Sequence, residues 1–258
     1  MPTPRTYTTD AIVIKRMDYG EADRILTVLT RRYGKVRLLA KGVRRTQSRS
    51  AGHLELFAHA QVLAAKGRNL DVATQAMTVS SFWEIRESLE KSSYAYHFAE
   101  LVDAFLQDAD EHYGVFDLLR DSLAALADAK GALDLLARHF EMHLLEQVGF
   151  RPQLESCVAC QSVVQPLANG YSVPRGGVFC PSCARLESSA VALDVPPLKL
   201  LRFLQRTPQA GSLTLEVPAD VLDRVEIVLR RQIEYSLERK LRAADFVREV
   251  ATTVWASA

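Results

Sequence analysis

The feature that constrains the fold most is a set of four cysteines, which are all the cysteines of the chain. They form two C-x₂-C pairs, Cys157 with Cys160 and Cys180 with Cys183, and 19 residues separate the pairs. This spacing is typical of a zinc site, because each short gap lets two thiolates reach one ion and two pairs complete a tetrahedron. The pattern predicts one zinc ion per chain, and its role is structural because four cysteines leave no open coordination position.

Disulfides and a redox-active pair are the two alternatives to zinc. The N-terminal sequence MPTPRTYTTD has no apolar signal-peptide core, and the chain has no apolar run long enough to span a membrane. We therefore expect a cytoplasmic protein, in which disulfides are rare. Two matched pairs are also one more than a redox centre requires, so zinc remains the prediction.

Residues 1–80 read as a strand-rich domain. The hairpin spacing at Tyr33-Gly34 and the short turn at Gly67-Arg68-Asn69 separate short runs rich in apolar and β-branched residues. Five such strands in a short domain predict a small barrel, and five is the strand number of an OB-fold. The predicted strands are 11–16, 24–32, 35–43, 56–66 and 70–79.

From residue 82 the apolar residues change to helical spacing, which makes the predicted fold class α+β. The predicted helices are 94–107, 115–129, 132–150, 198–206 and one long amphipathic helix that begins after Pro218 and continues to about residue 250. The predicted domains are an OB-fold at 1–80, a helical domain in two parts at 81–150 and 190–258, and a zinc-ribbon-like insertion at 151–189.

Charge is distributed unevenly along the chain. Residues 1–80 carry 14 Lys and Arg against 6 Asp and Glu, whereas residues 81–258 carry 18 against 25. A net charge of +8 followed by −7 indicates two different surfaces, and a basic domain is suited to neutralising phosphates. Chance surface composition is the alternative.

The basic residues of the first domain concentrate on and after the third predicted strand. Alternation along a strand places Lys35, Arg37 and Lys41 on one face with Leu39, while the intervening residues point into the barrel. No acidic residue occurs from 36 to 54. Aromatic residues are few there, so we expect binding through the DNA backbone with little sequence preference and no exclusion of duplex. The candidate DNA-binding residues are Lys35, Arg37, Lys41, Arg44, Arg45, Arg49, Lys66 and Arg68.

Signals for an enzyme are weak. His139 and His143 in HFEMH have the i, i+4 spacing of a zinc-protease helix, but Phe140 occupies the position where that motif needs its glutamate. Packed or exposed helix histidines are the simpler interpretation. The chain has no Walker sequence and no G-x-G-x-x-G, so we predict a protein that is not an enzyme.

The chain resembles the RecO family of bacterial recombination mediators. The resemblance rests on AIVIKRMDYGEADRILTVLT, YGKVRLLAKGVRR, LLEQVGFRPQLESC and the two C-x₂-C pairs, in this order over nearly the whole chain. It implies an N-terminal OB-fold, a helical domain and, as in many members, a zinc-binding insertion. It also implies binding of single- and double-stranded DNA, annealing of complementary strands, and work with RecR to place RecA on strands coated by single-strand-binding protein. Such a protein would act in the cytoplasm, associated with the nucleoid.

The resemblance also implies contact with the acidic, hydrophobic-ended tail of single-strand-binding protein. The last helical region suits this tail better than the acidic residues 81–146, because cations cluster there. Alternatively, these cations balance Glu226, Glu234 and Glu238 at helical spacing. The other hypothesis for the whole chain is a zinc-stabilised adaptor whose basic domain contacts an acidic protein. The candidate partner-binding residues are Arg230, Arg231, Arg239, Lys240 and Arg242.

Overall fold

A computed structural model of the chain describes residues 5–48, 50–208 and 215–241, together with residues 243, 246, 247, 249 and 250. The chain forms two compact units. The first, called the barrel unit, comprises residues 1–128 and the residues after 241; the second, called the cysteine unit, comprises residues 129–241. None of the described helices is long and apolar enough to cross a membrane.

The barrel unit is built on a closed five-stranded barrel with the strand order β1-β2-β3-β5-β4. The barrel closes because β1 pairs antiparallel with both β2 and β4, while β3 and β5 form a short parallel pair. Alternation explains the core, since the inward side chains of Leu26, Leu38 and Val62 are almost fully buried. The strands are β1 (Thr6–Tyr19), β2 (Asp23–Thr30), β3 (Gly34–Ala40), β4 (His59–Ala65) and β5 (Asp71–Ser80). The OB-like five-stranded barrel predicted from the sequence is confirmed.

Helices complete the barrel unit. They are α1 (Trp83–Glu87), α2 (Leu89–Phe105) and α3 (Tyr113–Asp128), and a single turn of 3-10 helix, Ala51–His53, lies between β3 and β4. Ser88 caps α2 by accepting a hydrogen bond from the backbone N–H of Lys91 at 3.3 Å. The loop between α2 and α3 lies against the start of β3. A Cβ atom at Gly34 would lie 2.0 Å from the carbonyl oxygen of Asp110, so only glycine fits there.

The cysteine unit combines helices with a small sheet. Its elements are α4 (Leu133–Gln147), β6 (Asn169–Ser172), β7 (Gly177–Phe179), α5 (Pro181–Ala184), β8 (Val191–Leu193), α6 (Val195–Arg206) and α7 (Ala219–Leu237). The sheet order is β7-β6-β8, and α4 packs against α6 and α7. Tyr171 on β6 is fully buried and donates a hydrogen bond from its hydroxyl to Oε1 of Gln232 on α7 at 2.9 Å. This bond links the sheet to the helices.

The structure corrects the prediction of one unbroken helix after Pro218. Helix α7 ends at Leu237, and Glu238 adopts a left-handed conformation with φ 53°. The N–H of Glu238 donates to the carbonyl of Tyr235, and the N–H of Arg239 donates to the carbonyl of Glu234, each at 3.2 Å. These two bonds form a Schellman motif, which satisfies the last carbonyls of a helix. Glycine usually occupies the left-handed position, so a glutamate there leaves no sequence signal.

Candidate metal centre and nucleic-acid interface

The first cysteine pair lies in a tight knuckle. Cys157 and Cys160 bracket a turn in which the N–H of Gln161 donates to the carbonyl of Cys157 at 2.9 Å, and Gln161 closes the turn in the left-handed region with φ 61°. Strand β7 runs directly beside this turn, because the N–H of Val158 donates to the carbonyl of Val178 at 2.9 Å. Gly177 permits the close approach, since a Cβ atom there would lie 2.6 Å from a methyl carbon of Val158.

The second cysteine pair follows β7 directly. Cys180 is the N-cap residue of α5 and Cys183 lies inside this short helix, with Pro181 at a favourable first position. The N–H of Ala184 donates to the carbonyl of Cys180 at 2.9 Å, which turns both thiols to the same side. The strand β7 therefore joins the two pairs: one pair packs against it and the other extends from its end.

The four sulfur atoms converge on one point. They all lie within 4.8 Å of one another, and Sγ of Cys160 lies 3.8 Å from Sγ of Cys180. Four thiolates at about 2.3 Å from a tetrahedral zinc ion would be separated by about 3.8 Å, so the sulfur set fits such an ion. All four cysteines are free thiols, and only Cys157 is buried. The residues predicted as metal ligands are thus brought together in a cluster that could hold a metal ion.

The thiol of Cys160 is the most exposed of the four. The Ser162 hydroxyl, 3.1 Å from Sγ of Cys160, lowers the pKa of this thiol to about 6 by hydrogen bonding. The thiolate is the form that binds metals, so the hydroxyl favours the ligating state of Cys160.

The cysteine module, residues 151–189, is anchored to α6. The guanidinium of Arg202 donates from Nε and Nη2 to the carbonyl of Leu154 at 3.0 and 2.6 Å, and from Nη2 to that of Val164 at 3.1 Å. The side-chain amide of Gln205 donates to the carbonyl of Pro152 at 3.0 Å. These bonds satisfy buried carbonyls on the module, so loss of the metal would disturb the whole cysteine unit.

The predicted DNA-binding cations fall into two groups on the barrel. The first group, called the loop cluster, consists of Lys41, Arg44 and Arg45 in the loop after β3. Lys41 and Arg45 are exposed, and within the described part of the chain neither makes an ion pair. Arg44 lies 3.4 Å from a carboxylate oxygen of Asp18, and its N–H donates to the carbonyl of Ala22 at 2.9 Å. The loop cluster therefore lies beside the β1–β2 turn.

The second group lies near the β4–β5 turn. Leu38 on β3 pairs in parallel with Asp71 on β5, so the turn that precedes Asp71 runs alongside Arg37. Lys66 and Arg68 in this turn are exposed, and Nζ of Lys66 lies 5.7 Å from the ring centroid of Tyr7. Arg49 lies outside the described residues.

Lys35 is not the exposed cation that alternation predicted. It is on the outer side of the barrel, but only 9% of its side chain is exposed. Its ammonium donates to the carbonyl and to Oδ1 of Asp103 at 2.8 and 3.0 Å and lies 3.7 Å from Oδ1 of Asp108. The end of α2 and the loop that follows cover it, which the strand pattern cannot reveal. Lys35 therefore offers no charge to a ligand.

The cations predicted to bind a partner are only partly exposed. Arg231, Arg239 and Lys240 are exposed, whereas Arg230 is half-buried and donates from Nε to Glu234 at 3.1 Å. For Arg230 the alternative explanation, a helical ion pair, is thus the one found. Arg242 lies outside the described residues. Sequence reasoning missed that Ile227 and Tyr235 are exposed on α7; their four-residue spacing around Arg231 was the available signal.

The two helix histidines have a structural role. Nε2 of His139 and Nε2 of His143 lie 2.9 and 2.8 Å from the same acceptor, the carbonyl of Thr207 after α6. Both rings must carry their proton on Nε2 to donate this bond. The interpretation of HFEMH as packed helix histidines is confirmed, because the pair fixes the end of α6 on α4.

Comparison with known proteins identifies the family. The family model described as "Recombination protein O N terminal" matches residues 3–82, and "Recombination protein O C terminal" matches residues 86–245. The chain belongs to the RecO family. The boundary between the two family models falls at the end of the barrel, just before α1.

Individual RecO proteins match over almost the whole chain. The chain is 40% identical over 246 residues to "DNA repair protein RecO" of Roseiflexus sp. (strain RS-1), a match that covers 95% of this chain and 86% of the relative. The protein of the same name from Dehalococcoides mccartyi is 34% identical over 243 residues, covering 94% and 95%. That from Pelotomaculum thermopropionicum is 35% identical over 244 residues, covering 94% of each. The resemblance seen in the sequence is confirmed, and the family is one of DNA repair proteins.

Proposed function

We propose that this RecO family member is a DNA-binding recombination mediator without enzymatic activity. It binds single- and double-stranded DNA, anneals complementary strands and, with RecR, helps to load RecA onto strands coated by single-strand-binding protein. It acts in the cytoplasm, associated with the nucleoid. The observation that carries the proposal is the loop cluster, whose exposed cations lie on an OB-like barrel in a chain of a DNA repair family.

The physical basis of DNA binding is phosphate neutralisation. Lys41 and Arg45 are free of ion pairs within the described residues, and the pair of Arg44 with Asp18 is half-exposed and therefore weak. These side chains can move to phosphates, and each contact releases counterions. Arg37, Lys66 and Arg68 are secondary candidates, since Arg37 lies 3.7 Å from Asp108.

The four-cysteine cluster binds one structural zinc ion in this proposal. Cys157, Cys160, Cys180 and Cys183 supply a set of thiolates that prefers zinc, and no cysteine remains to open a catalytic position. When bound, the ion would hold the knuckle and α5 together at the end of β7. Its contribution is to the stability of the cysteine unit, and DNA contact rests on the barrel.

The exposed face of α7 is the proposed contact for the tail of single-strand-binding protein. Ile227 and Tyr235 are 42% and 54% exposed and are spaced four residues either side of Arg231, so they form one stripe with it. Arg239 and Lys240 follow the end of the helix. Apolar side chains flanked by cations suit a peptide that ends in hydrophobic residues and carries acids. Titration of a tail peptide against Arg231→Ala/Tyr235→Ala tests this contact, with unchanged affinity as the contradicting result.

A DNA titration tests the proposed function. The affinity of the wild-type protein for a single strand and for a duplex should fall steeply and linearly with the logarithm of salt concentration. Binding should depend little on sequence, and the protein should accelerate annealing of complementary strands. Affinity that is absent, or independent of salt, would contradict the proposal and favour an adaptor whose basic domain contacts an acidic protein.

A further inference from the structure

The outer face of the barrel carries a continuous row of apolar side chains. In the strand register Met17 pairs with Ile25, Ile25 pairs with Leu39, and Leu39 pairs with Val72. Paired residues of neighbouring strands point to the same side of a sheet. This set, called the apolar row, therefore crosses β1, β2, β3 and β5 as one line.

The apolar row faces outward. The next residues along β2 and β3, Leu26 and Leu38, are almost fully buried, so they point into the barrel and their neighbours point away from it. Met17 is 56% exposed, and the other three members of the row are half-buried. Neighbouring strands are about 4.8 Å apart, so four strands give a line of about 14 Å, long enough for about four bases at the ~3.4 Å spacing of a stacked strand.

Cations border the apolar row on both sides. Two residues before Met17 and Leu39 on the same face are Lys15 and Arg37, whose side chains are 66% and 60% exposed. Two residues after Leu39 is Lys41, the first cation of the loop cluster. Each border lies about 7 Å from the row, which is two residues along a strand. Lys15 and Arg37 each have a carboxylate at 3.7 Å, but such exposed pairs are weak and can exchange for phosphate.

Tyr19 adds an aromatic ring to this surface. It follows Met17 by two residues on β1, so it points to the same side, and it is 52% exposed. It lies at the end of the row that is next to the β1–β2 turn, where the loop cluster also lies. Bases stack on exposed tyrosine rings whatever their identity.

We propose that the apolar row and Tyr19 make this surface selective for single-stranded nucleic acid, by contacting unpaired bases while the bordering cations hold the phosphates. A duplex keeps its base faces stacked inside the helix, so it can use the cations but not the row. The inference rests on the proposed DNA binding and adds to it a preference for single strands. From the sequence alone, binding by charge would treat single strands and duplex alike.

An abasic oligonucleotide separates base contacts from phosphate contacts, because it keeps the phosphates and lacks the bases. The wild-type protein should bind a normal single strand about tenfold more tightly than the abasic strand of equal length. In Met17→Ser/Leu39→Thr this difference should shrink to about twofold or less, while the affinity for the abasic strand and for duplex stays unchanged.

A matched control is available on the same barrel. Met77 and Val79 on β5 are 60% and 53% exposed and lie beyond the pairing of β5 with β3, so Met77→Ser/Val79→Thr makes an equivalent change away from the row. The control should bind every probe as the wild type does. Equal affinity of the wild-type protein for normal and abasic strands would overturn the inference, even if a variant failed to fold, and would leave the proposed function standing. No salt-dependent binding of any probe would overturn both.

Discussion

The ammonium of Lys35 on β3 donates to both the carbonyl and the carboxylate of Asp103 at the end of α2, at 2.8 and 3.0 Å. The same residue accepts a hydrogen bond at its own carbonyl from the N–H of Ala109 at 2.9 Å. Lys35 thus joins the barrel to the helices of its unit at the side chain and at the backbone. A cation that the sequence assigns to the DNA surface is instead part of the structural core of the barrel unit.

Replacement of Lys35 should therefore affect stability and leave DNA binding unchanged. Lys35→Met keeps most of the apolar stem and removes the charged hydrogen bonds to Asp103, so the free energy of unfolding should fall by about 1–2 kcal/mol. Urea denaturation measures this change, with Lys41→Met as an exposed control that should leave stability within about 0.5 kcal/mol of wild type. A loss of DNA affinity in folded Lys35→Met, with unaltered stability, would refute this assignment.

The barrel could be predicted from the sequence because its information is local. Alternation in each strand and short turns at Gly34 and Gly67 specify five strands, and the two C-x₂-C pairs specify their own convergence. Contacts between distant segments could not be predicted. The cover over Lys35 comes from α2, and the apolar row exists only once strand register aligns Met17 with Val72 across four strands.

The zinc proposal predicts one ion per chain and a large effect of losing it. Cys157→Ser removes the one buried sulfur of the cluster, and because metal binding is coupled to folding the free energy of unfolding should fall by more than about 3 kcal/mol. Elemental analysis should give one zinc ion per wild-type chain and substantially less in the variant. Stability should suffer more than DNA affinity, since DNA contact is assigned to the barrel.

Val163→Ser is a suitable control for the zinc experiment. Val163 lies in the same module, is 70% exposed and is not a ligand, so both metal content and stability should stay at wild-type values. Wild-type protein that contains no zinc and shows two disulfides by mass spectrometry would rule out the metal centre.

Acid should weaken the cysteine unit through His139. Burial lowers the pKa of His139 to about 4, the charge of His143 lowers it further, and the bond to the Thr207 carbonyl only partly opposes this. The unfolded chain has the ordinary pKa of about 6.5, so between these values it binds more protons than the folded chain. Stability is complete above pH ~6.5 and falls as the pH drops toward 4, by about 2 kcal/mol at pH 5.

Urea denaturation at pH 7 and pH 5 measures this loss. His139→Gln can still donate one hydrogen bond to the Thr207 carbonyl but does not titrate, so its stability should change less between the two pH values. Equal pH dependence in the variant and the wild type would show that other groups cause the acid sensitivity.

The most direct test of DNA binding by the barrel is the salt dependence of affinity in Lys41→Ala/Arg44→Ala/Arg45→Ala. Its matched control is Arg231→Ala/Arg239→Ala/Lys240→Ala, which removes the same three charges from the cysteine unit. The loop-cluster variant should bind single strands and duplex more weakly, and its slope against the logarithm of salt should flatten by about 0.7–0.9 for each lost phosphate contact. The control should keep the wild-type slope. An unchanged slope in the folded loop-cluster variant, or equal flattening in the control, would contradict the account.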